Sequence, residues 1–130
     1  MTHPNDTLIG AAPSSIVDAA RLLVTPYEGR VAEYNIATWL HLPGLANLPV
    51  SLLVSYRDGD KHREVSVDHG KVGPHHKILL SGVARLPVKH KVEDMRVYLR
   101  SAVLATTLVV EELFIQALEA PRQDNRQASA

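Results

Sequence analysis

A pair of alternating runs around Asp58-Gly59 constrains the fold of this chain more than any other stretch. An Asp-Gly pair between two such runs is a strong signal for a β-hairpin with a type I′ turn. If Asp58 and Gly59 are the two loop residues, Arg57 lies opposite Asp60 and the whole register follows. The apolar residues of the first strand then share one face: Val50, Leu52, Val54 and Tyr56. A slip of one residue would move them to the other face, so the pattern and the turn predict the same register.

Three further segments, 31–42, 76–86 and 93–101, show the period of two that is typical of strands with one buried face. In the first two segments the even-numbered residues are mostly apolar and are predicted to point inward. In the third segment the inward residues are predicted to be Met95, Val97 and Leu99.

A short helix is predicted near the N-terminus. Ser15 and Asp18 match a capping box, in which a hydroxyl cap is followed three residues later by an acidic side chain. The apolar residues that follow have helical spacing, so the helix is predicted over 14–24, with a strand at 22–24 as the alternative.

Beyond these segments, the composition changes at both ends. Residues 1–12 are mostly small or polar and are expected to form a flexible arm. Residues 121–130 contain almost nothing that could be buried and are expected to form a disordered tail. The sequence between them, 13–120, is expected to form a single β-rich domain.

The segment 104–118 allows two interpretations. It contains neither Gly nor Pro, so a helix running from about 92 to 119 is conceivable. However, residues 106–110 are rich in β-branched side chains, which favour strands. We predict a strand over 106–117, after a turn near 102–105.

Together these segments predict an all-β fold, a mainly antiparallel β-sandwich or partly open barrel of about six strands with one short N-terminal helix. An immunoglobulin-like arrangement is an analogy at the level of the fold and carries no functional meaning. The alternative is an α+β fold with a C-terminal helix.

Composition excludes several classes of function. The 14 Lys and Arg residues balance the 14 Asp and Glu residues, which argues against a nucleic-acid binder and against a basic membrane anchor. The chain has no cysteine, so disulfides, thiolate nucleophiles and Cys-ligated metal centres are excluded, and a cytoplasmic location is expected. No apolar run approaches the roughly 20 residues that a membrane-spanning helix needs. No motif for a cofactor or a catalytic group is present.

Histidines supply the candidate metal site. The segment 57–100 holds ten Lys and Arg against six Asp and Glu, a net charge of +4. It also holds His69, His75, His76 and His90, and imidazoles suit zinc, copper or nickel. Because adjacent residues of a strand point to opposite faces, His75 and His76 cannot both bind one metal from a regular strand.

Glu111 and Glu112 are adjacent on the last predicted strand, so one of them is expected to point among apolar side chains. A desolvated carboxylate would have a raised pKa, which a general acid could use. The alternative function is therefore a metal- or anion-dependent enzyme or binder that uses the His-rich segment 62–90 with these two carboxylates.

Several predicted strands are also apolar on the face that points away from the core. The outward residues there are predicted to be Trp39, Leu53, Leu79 and Val83. A large exposed apolar area marks an interaction site, and tryptophan is a typical anchor of such sites. The preferred function is a small soluble β-sandwich interaction module without catalytic activity, acting as a homodimer or on an unknown protein partner.

Overall fold

The computed structural model describes residues 4–27 and 29–118, and over these residues the chain forms eight strands and one short helix. The strands are β1 Asp6–Ala11, β2 Leu23–Thr25, β3 Gly29–His41, β4 Pro49–Asp58, β5 Lys61–Lys71, β6 Lys77–Pro87, β7 Val92–Ser101 and β8 Val109–Ala117, and the helix is α1 Ser14–Val17. The predicted all-β class with a short N-terminal helix is confirmed, with eight strands in place of about six.

The strands form two antiparallel sheets. The first sheet has the order β1-β7-β4-β5, and in the second sheet β6 pairs with one edge of β3 while β2 and β8 share the other edge. The sheets approach each other between β5 and β6, where the Asp68 carboxylate accepts a hydrogen bond from the Ser81 N–H at 2.9 Å. They also approach between β1 and β8, where a Cβ on Gly10 would lie 2.6 Å from the Leu113 side chain. The sandwich is therefore partly closed at both edges.

The core lies between the sheets and uses the faces that the period of two predicts. The even-numbered residues of β3 and β6 face inward, and β7 buries Met95, Val97 and Leu99. The bulkiest fully buried side chains include Tyr34, Tyr56, Ile36, Leu40, Leu42, Leu52, Leu80, Leu86, Met95 and Leu99. The core is thus filled mainly by aliphatic residues, with two tyrosines.

Both buried tyrosines donate their hydroxyl hydrogens to backbone carbonyls. Tyr34 Oη lies 2.7 Å from the carbonyl oxygen of Val17, which ties α1 to the second sheet. Tyr56 Oη lies 2.6 Å from the carbonyl oxygen of Pro87, at the end of β6. Burial, helped by the charge of Asp18, raises the pKa of Tyr34 to about 12. Burial likewise raises the pKa of Tyr56 to about 12.

The hairpin of β4 and β5 forms, but the predicted turn and register are wrong. The loop residues are Gly59 and Asp60, so that Asp58 pairs with Lys61. Of these two loop residues only Gly59 has a positive φ, 63°, which is the pattern of a type II′ turn and not of type I′. The register differs from the predicted one by two positions near the turn, so the apolar residues of β4 keep the predicted face.

Asp58 explains the shift, because it belongs to the buried end of β4 and not to the loop. Its carboxylate accepts hydrogen bonds from the N–H groups of Lys89 and His90, both at 2.8 Å. Arg63 Nε lies 3.3 Å from the same carboxylate. A side chain with these three partners anchors the turn between β6 and β7.

Three other predictions about the chain ends need correction. Residues 1–12 do not form a flexible arm throughout, because β1 pairs with β7. The helix predicted over 14–24 ends at Val17, and the alternative of a strand near 22–24 is realised as β2. A C-terminal helix is excluded over 104–118, where β8 forms instead, although it begins three residues later than predicted. The tail predicted at 121–130 lies outside the described residues.

Candidate functional site

The outward face of the second sheet carries a group of exposed apolar side chains. We call this the β3 face and define it by five residues that are each 42–50% exposed: Trp39, Leu79, Val83, Val109 and Phe114. Trp39 lies at its centre, directly opposite Leu79 on one side and Glu112 on the other. The structure therefore brings three residues of the predicted surface, Trp39, Leu79 and Val83, to one face.

Val109 and Phe114 belong to the β3 face although the sequence did not single them out. Phe114 pairs with Ala37, and Val109 pairs with His41, so both stand beside the central strand. They are five positions apart, an odd number, and a regular strand would send them to opposite faces. The two residues share a face because β8 contains a bulge.

The bulge lies opposite Trp39 and Leu40, where Glu111 is the extra residue. The Thr38 hydroxyl, which is buried, donates a hydrogen bond to the carbonyl oxygen of Glu112 at 2.6 Å and so supports the bulge from inside. As a result Glu111 and Glu112 are both exposed. Glu112 stands beside Trp39 on the β3 face but is open to solvent, so the prediction that one of these carboxylates is desolvated among apolar side chains is wrong.

Opposite charges flank the β3 face on its two sides. Glu111 and Glu112 lie on β8, whereas Lys77 and Arg85 lie on β6. Lys77 Nζ is 3.3 Å from Glu111 Oε2, so this pair reaches across the end of β3. Arg85 forms an ion pair with Glu33 of β3. The face is thus an apolar centre with an acidic side and a basic side.

Leu53 does not belong to the β3 face, which corrects the prediction for this residue. It lies in the first sheet, where it pairs with Tyr98, and it is only 6% exposed. Arg100 on β7 and Glu64 on β5 join across β4, with a shortest N–O distance of 2.9 Å, and Leu53 lies on β4 between them. We attribute its burial to this ion pair, which passes over the strand.

The ion pair continues to the edge of the first sheet. Arg100 also binds Asp6 on β1 through two nitrogens, at 2.8 and 2.9 Å. The hydrogen bonds to Asp6 and then to Glu64 raise the pKa of the Arg100 guanidinium above its ordinary value. A charged network therefore crosses the outward face of the first sheet from β1 to β5, whereas the outward face of the second sheet carries five exposed apolar side chains at its centre.

The candidate metal ligands are not brought together. His75 and His76 lie in the connection from β5 to β6, and the ring of His76 is in edge contact with that of His41 at 6.4 Å between centroids. His69 lies on β5, with Nδ1 3.3 Å from the Ser51 hydroxyl. His90 lies beyond the other end of β6. Within residues 4–27 and 29–118, no three His, Asp or Glu side chains form a group that could hold a metal ion.

Comparison with protein-family models, with curated proteins and with solved structures gives no match. Within the described part of the chain, no helix has the length and apolar character needed to cross a membrane. The assignment of a function therefore depends on the geometry and chemistry of the chain itself.

Proposed function

We propose that this protein is a small interaction module without catalytic activity that forms a homodimer through the β3 face. The observation that carries the proposal is Trp39, which is 42% exposed at the centre of an apolar sheet face. A tryptophan in that position gains more from burial than any other side chain of the face, because it has the largest apolar area. On the strands of the first sheet that the structure describes, Leu8 is the only large apolar side chain that is exposed, and the network around Arg100 crosses the outward face of that sheet.

A second copy of the chain is the partner that the charges of the face support. If two β3 faces meet about a twofold axis parallel to β3, the β6 side of one copy lies over the β8 side of the other. Lys77 then faces Glu111 of the second copy, and Trp39 meets its own counterpart near the axis. An axis perpendicular to β3 would instead place β6 over β6 and bring like charges together. Charge complementarity therefore favours the parallel axis.

The size of the face supports a weak dimer. Three strands about 4.8 Å apart and about 20 Å long give a projected face of roughly 300 Å². Two such faces fall short of the ~1,600 Å² buried in a standard protein interface. We therefore propose dissociation in the micromolar range or weaker, and a reversible dimer. The immunoglobulin-like description refers to the two-layer architecture alone. It makes no claim about strand order, which is β1-β7-β4-β5 in the first sheet.

Light scattering coupled to size exclusion, over protein concentrations from low micromolar to millimolar, tests the proposal. The wild type should shift from monomer to dimer across this range. Trp39→Glu should stay monomeric and folded, because a half-exposed side chain can be replaced without opening the core. Loss of a central anchor costs about 2 kcal/mol or more, which corresponds to at least a ~30-fold weaker dimer.

Tyr27→Glu is the matched control, because Tyr27 is an aromatic residue that is 98% exposed outside the β3 face. This variant should dimerise like the wild type. A wild type that remains monomeric at millimolar concentration, or a Trp39→Glu variant that still dimerises, would contradict the proposal.

A further inference from the structure

A cavity of about 390 Å³ opens between the start of β3 and the turn that joins β6 to β7. The residues that line it are Gly29, Arg30, Arg63, Pro87, Val88 and Lys89. Among these described residues every charged one is a cation. The cavity lies away from the β3 face, at the end of the sandwich where Asp58 anchors the turn between β6 and β7.

The positive charge of this lining is only partly balanced. Asp58 lies behind the turn, and Arg63 Nε approaches its carboxylate at 3.3 Å. This contact is an ion pair, and the hydrogen bonds to the carboxylate come from neutral backbone N–H groups, so the carboxylate offsets one of the three cations. Arg30 donates to the carbonyl oxygen of Lys89, which is a neutral acceptor. Among the described residues that line the cavity, a surplus of about two positive charges therefore remains.

The walls of the cavity are fixed by the fold. The Val88 N–H donates to the carbonyl oxygen of Arg30 at 2.9 Å, which joins the turn to β3. The Tyr56 hydroxyl holds the carbonyl of Pro87 at 2.6 Å. A site whose walls are already ordered loses little conformational entropy when a ligand binds.

We propose that this cavity binds a phosphate group, carried by inorganic phosphate or by a small phosphate monoester. Arginine presents a planar fork of donors that matches phosphate oxygens, and two arginines line the cavity. Arg63 uses Nε toward Asp58, which leaves its two terminal nitrogens for another acceptor. A phosphate group near pH 7 carries about −1.5 to −2 charges, which matches the surplus. The volume lies within the range of roughly 300–1,000 Å³ that is usual for small-ligand sites.

The test is an NMR titration of the full chain with inorganic phosphate and, separately, with glycerol phosphate, at constant ionic strength. Saturable shifts are expected at the amides of Gly29, Arg30 and Lys89. Lys89→Gln removes one cation but keeps the backbone N–H that binds Asp58, so the variant should fold normally and bind at least fivefold more weakly. Lys71→Gln is the control, because this exposed lysine lies at the far end of β5 and should leave binding unchanged.

Saturable binding of either ligand that weakens in Lys89→Gln supports the site, and the tighter ligand identifies the source of the phosphate group. Arg30→Gln provides a second variant with the same expected loss. Shifts that rise linearly without saturation would overturn the proposal. Equal affinity in the wild type, Lys89→Gln and Arg30→Gln would overturn it as well.

Discussion

Asp58 fixes the position of His90 through a hydrogen bond of 2.8 Å from the His90 N–H to the carboxylate, across 32 residues of sequence. The neighbouring N–H of Lys89 binds the other oxygen of the same carboxylate. Burial acts to raise the pKa of Asp58, but these two hydrogen bonds and the charge of Arg63 outweigh it, so the pKa lies below its ordinary value of 3.8. One buried carboxylate thus joins the hairpin of β4 and β5 to the turn between β6 and β7.

We predict that Asp58→Asn lowers the free energy of unfolding by about 2–3 kcal/mol at pH 7, because hydrogen bonds to a charged group are lost and a donor replaces one acceptor. Urea denaturation of the two proteins measures the difference. Asp60→Asn, in the adjacent exposed turn, should change the value by less than ~0.5 kcal/mol.

The same pair of proteins gives a pH prediction. A lowered pKa in the folded state means that the contribution of Asp58 is present above the unfolded-state pKa of about 3.8 and is lost as the pH falls through the folded value. The difference between the wild type and Asp58→Asn should therefore be constant from pH 7 to pH 5 and shrink below about pH 4. A difference that stays constant down to pH 2.5 would show that the Asp58 carboxylate does not supply this stability.

Gly59→Val should destabilise the protein by about 2–3 kcal/mol, because valine resists a φ of 63°. A Cβ at this position would also lie 2.7 Å from Cδ2 of His90. Gly29→Val is the control, since Gly29 has a φ of 72° but open space around its Cβ position. Thermal melts should show the larger loss for Gly59→Val. Equal losses would mean that conformational strain alone acts at Gly59.

The raised pKa of Tyr34 predicts that the protein loses stability at alkaline pH. Its pKa of about 12 in the folded protein exceeds the ordinary value of 10.0, so its contribution is complete below pH 10 and is lost as the pH rises toward 12. The loss can reach about 1.4 kcal/mol per pH unit. Tyr34→Phe should cost about 1–3 kcal/mol at pH 7, because the Val17 carbonyl loses its donor, but it should lose less stability than the wild type above pH 10.

Denaturation at several pH values checks the prediction for Tyr34. Tyr27→Phe, at a residue that is almost fully exposed, should follow the wild-type curve throughout. Parallel curves for the wild type and Tyr34→Phe between pH 10 and 12 would contradict it.

Period-two patterns were sufficient to predict the buried faces of β3, β4, β6 and β7, and hence that Trp39 points outward. They could not predict the hairpin turn. The Asp58 carboxylate is buried because it accepts hydrogen bonds from N–H groups of residues that lie more than 30 positions away in the sequence. They also could not predict the burial of Leu53, which depends on an ion pair between two other strands. A local sequence pattern therefore predicts which face of a strand is buried. The position of a turn and the burial of an outward residue depend on contacts between residues that are distant in sequence.

Only some residues of the β3 face could be predicted from the alternation of apolar and polar residues. Leu79 and Val83 follow from the alternation in β6, which contains no irregularity in its pairing with β3. Phe114 and Val109 reach the face only because Glu111 is the extra residue of a bulge, and alternation alone would have separated them. The cavity near Lys89 could not be predicted from the sequence either, since its three cations lie on β3, on β5 and in the turn after β6.

The final prediction tests the orientation of the proposed dimer by exchanging charges. With the axis parallel to β3, Lys77→Glu places two acidic residues opposite each other at both contacts, and Glu111→Lys places two basic ones there. Each variant alone should dimerise several-fold more weakly than the wild type, and an equimolar mixture should form a heterodimer with both attractive contacts restored.

Light scattering and native mass spectrometry at low salt measure these species, and 0.5 M NaCl should reduce the differences because it screens exposed charges. Lys71→Glu, on the other sheet, is the control and should dimerise normally. If Lys77→Glu instead strengthens the dimer, β6 lies over β6 near Arg85, and the axis is perpendicular to β3.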